Sequence, residues 1–154
     1  MDTEVAAGVY AREFAYLDRY VQVGVASDRV LSVSFPEAPD EDADDSLPLF
    51  DRIAAYLEGA EDEFDDVRIA LTVPTDQRAV LEAVRTVPYG TQVSVGKLAR
   101  LAGLDADDDA DHMPVRTALA ENPAPLLIPD HRIRDGPSAA PPDVEQRLRS
   151  LELL

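Results

Sequence analysis

The chain has 154 residues, 45% of them apolar, enough to bury a core as one domain or two small ones. Acidic residues outnumber basic ones by 31 to 14, a formal charge of -17, and Lys97 is the only lysine. The periodic apolar residues favour a folded, salt-adapted protein over a disordered acidic one, no apolar run reaches the roughly 18 residues that span a bilayer, and the absence of cysteine excludes disulfides and thiolate metal sites.

Such charge costs self-repulsion in ordinary cytoplasm. At molar salt the Debye length falls to about 3 Å and most of that repulsion disappears. Together with the preference for Ala, Val and Arg over Lys, this composition fits a halophilic archaeon. With no leader at its start, the protein is expected to be soluble and cytoplasmic. Two histidines, His112 and His131, are too few for a zinc site, so no metal is expected.

In chain order, Val21, Val23 and Val25 alternate against Tyr20, Gln22 and Gly24. After Ser27-Asp28-Arg29 the run Leu31, Val33, Phe35 alternates again, which predicts a hairpin. An acidic, proline-bearing stretch follows from Pro36 to Ser46. Pro48 then stands near the start of a predicted helix with Phe50, Ile53, Ala54 and Leu57 on one face and Gly59 past its end. Val67, Ile69, Leu71 and Val73 predict a further strand, stopped by Pro74. Residues 1–74 are thus expected to form a small α+β domain.

From Thr75 the apolar period changes to that of a helix, with Val80, Ala83, Val84 and Val87 on a stripe that Pro88-Tyr89-Gly90 stops. Ser94 is placed to cap a helix carrying Leu98, Leu101 and Ala102, which Gly103 ends. Pro114 is expected in the first turn of another helix, with Val115, Ala118 and Leu119 inward, and these two helices read as a helix-turn-helix. Between them Asp105-Ala106-Asp107-Asp108-Asp109-Ala110-Asp111 forms a negatively charged connection. The apolar run Leu126-Leu127-Ile128 feeds a turn, Pro129-Asp130-His131-Arg132. Beyond it lie a proline-rich loop, Gly136 to Pro142, and a last helix with Val144, Leu148 and Leu151 on one side.

These motifs resemble, over nearly the full length, the methylated-DNA protein-cysteine methyltransferases, also called alkylguanine-DNA alkyltransferases. The resemblance rests on Tyr56-Leu57-Glu58-Gly59, Phe64-Asp65, Val87-Pro88-Tyr89-Gly90, Ser94, Leu98-Ala99, Leu101-Ala102-Gly103, Asn122-Pro123 and Ile128-Pro129-Asp130-His131-Arg132. It implies an α+β fold in which a ribonuclease-H-like N-terminal domain, residues 1–74, precedes a winged-helix domain, residues 75–154. In the family the turn reads Pro-Cys-His-Arg, and the cysteine takes the alkyl group. Asp130 occupies that place here, and a thiolate is the nucleophile the chemistry needs.

Residue by residue, the resemblance implies that Asn122 braces the acceptor turn and that His131 and Glu152 match the pair that helps draw the proton off the cysteine. A tyrosine that follows the helix-capping serine is replaced by Val95, after Ser94. The intercalating arginine falls on Met113, with Arg116 one turn away. The glycine-rich loop that closes over the base is replaced by Gly136-Pro137-Ser138-Ala139-Ala140-Pro141-Pro142.

No catalytic residue and no cofactor is therefore expected. Ser94, Val95, Met113, Arg116, Asn122 and Arg132 are the candidate DNA-facing residues, and double-stranded DNA with alkylated guanine, together with repair proteins, the candidate partners. Two alternatives stand beside this inactive DNA-binding homologue: an interaction protein that no longer binds DNA, and an enzyme in which Asp130 attacks. For Asp130 itself the plain structural roles are a turn-fixing acceptor or an ion pair with Arg132, and His131 reads equally as a satisfied core histidine.

Overall fold

The computed structural model describes residues 8–104 and 109–154. Strands β1 (Gly8–Phe14), β2 (Arg19–Ala26) and β3 (Arg29–Ser34) form an antiparallel meander in the order β1-β2-β3. The alternation expected of β2 is met, with Val21, Val23 and Val25 buried. Ala26 pairs with Arg29 across the two-residue turn Ser27-Asp28. Both turn residues have positive φ, 53° and 64°, the geometry that matches the twist of a tight hairpin. Gly24 stands at a bulge against β3, where a Cβ would come within 2.9 Å of Ser32 Oγ.

β1 is an addition to the expected elements, and residues 67–73 are a correction. β1 buries Tyr10 and Ala11 in succession, which hides the two-residue period. The segment around Ile69 is extended but joins β3 by a single bridge, Val30 to Ile69, through Val30 N–H to Arg68 O and Ala70 N–H to Val30 O, both 2.9 Å. Further along β3, the Val33 N–H donates to Pro123 O at 2.8 Å. A carbonyl from the second half thus occupies the edge along which a ladder would continue.

Helix α1 (Leu49–Leu57) packs Phe50, Ile53, Tyr56 and Leu57 inward, and Phe50 meets Phe14 of β1 edge-on with centroids 6.0 Å apart. Gly59, at φ 111°, turns the chain away beyond its end. α2 (Thr75–Val84), α3 (Val95–Leu101) and α4 (Asp109–Ala120) pack against one another. The Ser94 side chain caps α3 as expected, accepting from Lys97 N–H at 3.1 Å. Pro114 lies inside α4 rather than in its first turn, because the helix begins at Asp109. Of the acidic connection, Asp105–Asp108 lies outside the described residues.

A 3-10 turn, Asp130–Arg132, and α5 (Pro142–Leu151) complete the chain. One apolar cluster runs from Tyr10 to Leu148, across Pro74. The halves are also joined by Arg19 with Asp143 at 3.1 Å and by Tyr16 Oη donating to Arg147 O at 2.7 Å. Among the described residues no helix is long and apolar enough to cross a membrane, and no group of three or more His, Asp or Glu is placed to hold a metal.

Candidate functional site: the Asp130–Arg132 turn

Leu126, Leu127 and Ile128 are buried, at 2% exposure or less, and anchor the chain just before the turn. Asn122 then fixes its shape. The Oδ1 of Asn122 accepts from Ala124 N–H, and its Nδ2 donates to Ile128 O and to Asp130 Oδ2, all at 3.0 Å. Asn122 thus ties both ends of the Ala124–Asp130 segment together. Because Asn122 is buried, it reaches the turn and not the solvent.

Asp130 is 1% exposed. Its Oδ1 accepts from Ser138 Oγ at 2.6 Å, and its Oδ2 accepts from Ala139 N–H at 2.9 Å besides the Asn122 amide. Ser138 Oγ in turn accepts from Ala140 N–H at 3.1 Å. The loop after the turn is therefore folded down on the carboxylate. Burial pushes the Asp130 pKa above the usual carboxylate value, although the bonds from Ser138, Ala139 and Asn122 pull against it. The ion pair with Arg132 considered from the sequence is not formed.

Arg132 instead faces the other side of the turn. Its Nε donates to Glu152 Oε1 at 2.8 Å, its Nη2 to Glu152 Oε2 at 3.1 Å, and its Nη1 to Glu63 Oε1 at 3.0 Å and Val87 O at 2.8 Å. With 2% exposure it is an internal tie and not a DNA-facing side chain, which corrects the expectation. Glu152 also accepts from Gly90 N–H at 3.0 Å, from the Tyr56 hydroxyl, and from His131 Nε2 at 2.7 Å. Since a carboxylate only accepts, His131 Nε2 carries the hydrogen. Burial opposes the charge on Glu152, but the bonds from His131 and Arg132 hold its carboxyl well below the usual range. The Tyr56 hydroxyl is driven the other way, its pKa raised by burial and by Glu152.

The remaining candidates divide by exposure. Val95 is 1% exposed and packs inward, where a Cβ on Gly136 would come within 3.1 Å of its side chain and 2.7 Å of Leu119; it presents nothing to a ligand outside. Ser94 is occupied in capping α3. Met113 is 66% exposed on α4, and Arg116 is exposed while its Nη1 donates to Asp135 O at 3.2 Å. The sequence reading missed Glu63 and Tyr56 as partners of the turn and Ser138 as a cover for Asp130. The local pattern carries no signal for the first two. Ser138, a short hydroxyl beside prolines eight residues after an acid, is the one weak hint.

The turn and helices can be set beside known proteins. Residues 75–141 match the family model described as the DNA-binding domain of 6-O-methylguanine DNA methyltransferase. A methylated-DNA–protein-cysteine methyltransferase of Methanopyrus kandleri is 35% identical over 100 residues, 64% of this chain and 72% of that protein. A DNA base-flipping protein of Thermus thermophilus is 34% identical over 100 residues, 64% of each chain. Among solved structures, a single-residue variant of the M. tuberculosis O6-methylguanine methyltransferase superposes with a TM-score of 0.74 at 21% identity, covering 96% of this chain and 92% of that one. With its α+β fold, its helices over residues 75–141 and its turn between Asn122 and Glu152, this chain belongs to the O6-methylguanine-DNA methyltransferase family.

Proposed function

We propose that this chain is a DNA-binding member of its family that does not accept an alkyl group. The observation that carries this reading is the state of Asp130. Where the family turn reads Pro-Cys-His-Arg this chain reads Pro-Asp-His-Arg, and the Asp130 carboxylate is closed off from solvent with its two oxygens already receiving Ser138, Ala139 and Asn122. A carboxylate is a poorer nucleophile towards an alkylated guanine than a thiolate, and here its lone pairs are engaged.

Charge placement supports contact with DNA through the second half. Of the 14 basic residues, 9 lie at or after Thr75 with 13 of the 31 acidic ones, a net -4 against -13 before it. The residues that would meet a duplex are those α3 and α4 leave at the surface, Lys97, Arg100, Met113 and Arg116, in a winged-helix arrangement behind a ribonuclease-H-like first half. An apolar Met113 side chain is able to wedge between bases where the family has arginine. Readout of alkylated guanine against Asp130 requires the Ser138–Ala139 cover to lift, because Asp130 is closed off beneath it.

A labelled duplex, with and without O6-methylguanine, titrated by fluorescence anisotropy from 0.2 to 2 M KCl tests this. The expectation is saturable binding with a log-log salt slope that falls by about 1 in Arg116→Gln. Equal affinity for both duplexes removes lesion recognition, and absence of binding removes the proposal in favour of an interaction protein. Intact mass after incubation with the lesioned duplex is expected unchanged, with no guanine released. Either change would establish Asp130 as a nucleophile.

A further inference from the structure

The N-terminal sheet and α1 border a cavity of about 360 Å³ that shares no lining residue with the Asp130 turn, at the lower end of the volumes that hold small molecules, roughly 300–1,000 Å³. Its walls mix apolar side chains, Val30, Leu47 and Val67, with three arginines, Arg29, Arg52 and Arg68. Arg52 is committed internally, to Asp62 and Asp66 at 2.8 Å each. The head groups of Arg29 and Arg68 have no hydrogen-bond or ion-pair partner among the described residues, in a chain with more than two acids for every base. Among the described residues Arg12, Arg19, Arg52, Arg78 and Arg132 find carboxylates and Arg85, Arg116, Arg147 and Arg149 reach uncharged oxygens; Arg100 and Arg134 are unpaired as well, but only Arg29 and Arg68 of these unpaired four line this cavity.

The two free arginines are brought to one cavity by backbone geometry. Arg29 opens β3, and the next residue, Val30, receives the chain carrying Arg68 through the single bridge to Ile69. Two unpaired guanidinium forks beside apolar walls match a dianionic head joined to a compact apolar body. A phosphate monoester carries close to two charges at neutral pH and three acceptor oxygens, and planar guanidinium binds it in bidentate fashion even where a point charge is screened. A carboxylate, with one charge and two oxygens, leaves one arginine unanswered. Asp28 also lines the cavity and supplies an acceptor for an amine on the ligand body, while the charge of Asp66 is already answered by Arg52.

We propose that this cavity binds a phosphomonoester of mononucleotide size, its phosphate on Arg29 and Arg68, its base against Val30, Leu47 and Val67. The site is independent of DNA binding at the second half.

Isothermal titration of the full chain in 2 M KCl with adenosine monophosphate, inorganic phosphate and adenosine reads it out. Adenosine monophosphate is expected to bind wild type and Arg116→Gln alike, and the double variant Arg29→Gln/Arg68→Gln at least tenfold more weakly. Both arginines are exposed, so the double variant should melt as wild type does. Should it not, Arg29→Lys/Arg68→Lys, which keeps charge but not the fork, is expected to fold normally and still bind several-fold more weakly. No saturable binding of adenosine monophosphate, inorganic phosphate or adenosine binding as tightly, or wild-type affinity in the glutamine or lysine double variant overturns the proposal. So does a double variant that loses only duplex affinity, which would assign the arginines to DNA.

Discussion

Asp130 and its neighbours His131 and Arg132 share one turn, yet they are held by opposite kinds of partner. Arg132 and His131 meet a formal charge, Glu152, and through Arg132 a second, Glu63, so this side is a buried ionic network tying the turn to both halves of the chain. Asp130 meets only neutral donors: an amide, a hydroxyl and a backbone N–H. The network holds the turn through His131 Nε2 and Arg132, while His131 Nδ1 is buried without a hydrogen-bond partner. The carboxylate of Asp130, by contrast, pins a loop. Two carboxyl groups of similar burial thus depend on their charge to very different degrees: Glu152 faces the Arg132 guanidinium and several donors, whereas Asp130 serves its neutral neighbours as an acceptor more than as a charge.

The strongest way to break this contrast is Glu152→Gln. One half of its acceptor set becomes a donor facing Arg132 or Tyr56, and the guanidinium of Arg132 is left short of charge in a buried place. Removing one partner of a buried pair costs about 3–5 kcal/mol, to be read by urea denaturation in 2 M KCl. The pH dependence has a definite sign. Because the folded state depresses the Glu152 pKa below its ordinary 4.5, its contribution is fully present above that value and is lost as pH falls below it. Wild type is expected to lose stability on acidification with a component absent from Glu152→Gln. An unchanged acid slope would show that Glu152 is not the group responsible.

The elements whose cause is local were legible in the sequence. β2 and β3 follow from alternating valines and a two-residue turn, α1 from Phe50, Ile53 and Leu57 between Pro48 and Gly59, and α3 from the Ser94 cap. What depends on distant partners was not. β1 conceals its period by burying Tyr10 and Ala11 together, and the strand expected at residues 67–73 shrinks to one bridge where Pro123 takes the edge of β3. Arg132 read as a DNA contact because it belongs to the Pro129-Asp130-His131-Arg132 turn that carries the family resemblance. Nothing near it in sequence announces Glu63, 69 residues earlier, or Glu152, 20 later.

On the other side of the turn, Asp130→Ala measures what the acceptors contribute. It leaves the Ser138 hydroxyl, the Ala139 N–H and one hydrogen of the Asn122 amide without partners. Buried unsatisfied groups cost about 1–3 kcal/mol each, and Asn122 keeps its bond to Ile128 O. Because Ser138 and Ala139 are only half-buried and their donors can turn to water, a total loss of about 2–3 kcal/mol is expected, below that of Glu152→Gln. A loss as large as the glutamate's would place both carboxylates in one class.

Asp130→Asn gives the smallest effect and the sharpest test. Asparagine has the shape of aspartate, and with its oxygen towards Asn122 and Ala139 it still accepts both, while its Nδ2 reaches Ser138 Oγ, which accepts as readily as it donates. A change of less than about 1 kcal/mol is expected. Its sign depends on pH. Burial raises the Asp130 pKa, so the folded protein holds that proton more tightly than the unfolded chain, and wild type loses stability as pH rises through the raised value. The uncharged variant escapes that loss, so its stability relative to wild type should improve with rising pH and worsen with acid. The opposite slope, or a loss comparable to Asp130→Ala at neutral pH, would mean that the charge of Asp130, and not its hydrogen-bonding shape, holds the Ser138–Ala139 loop down.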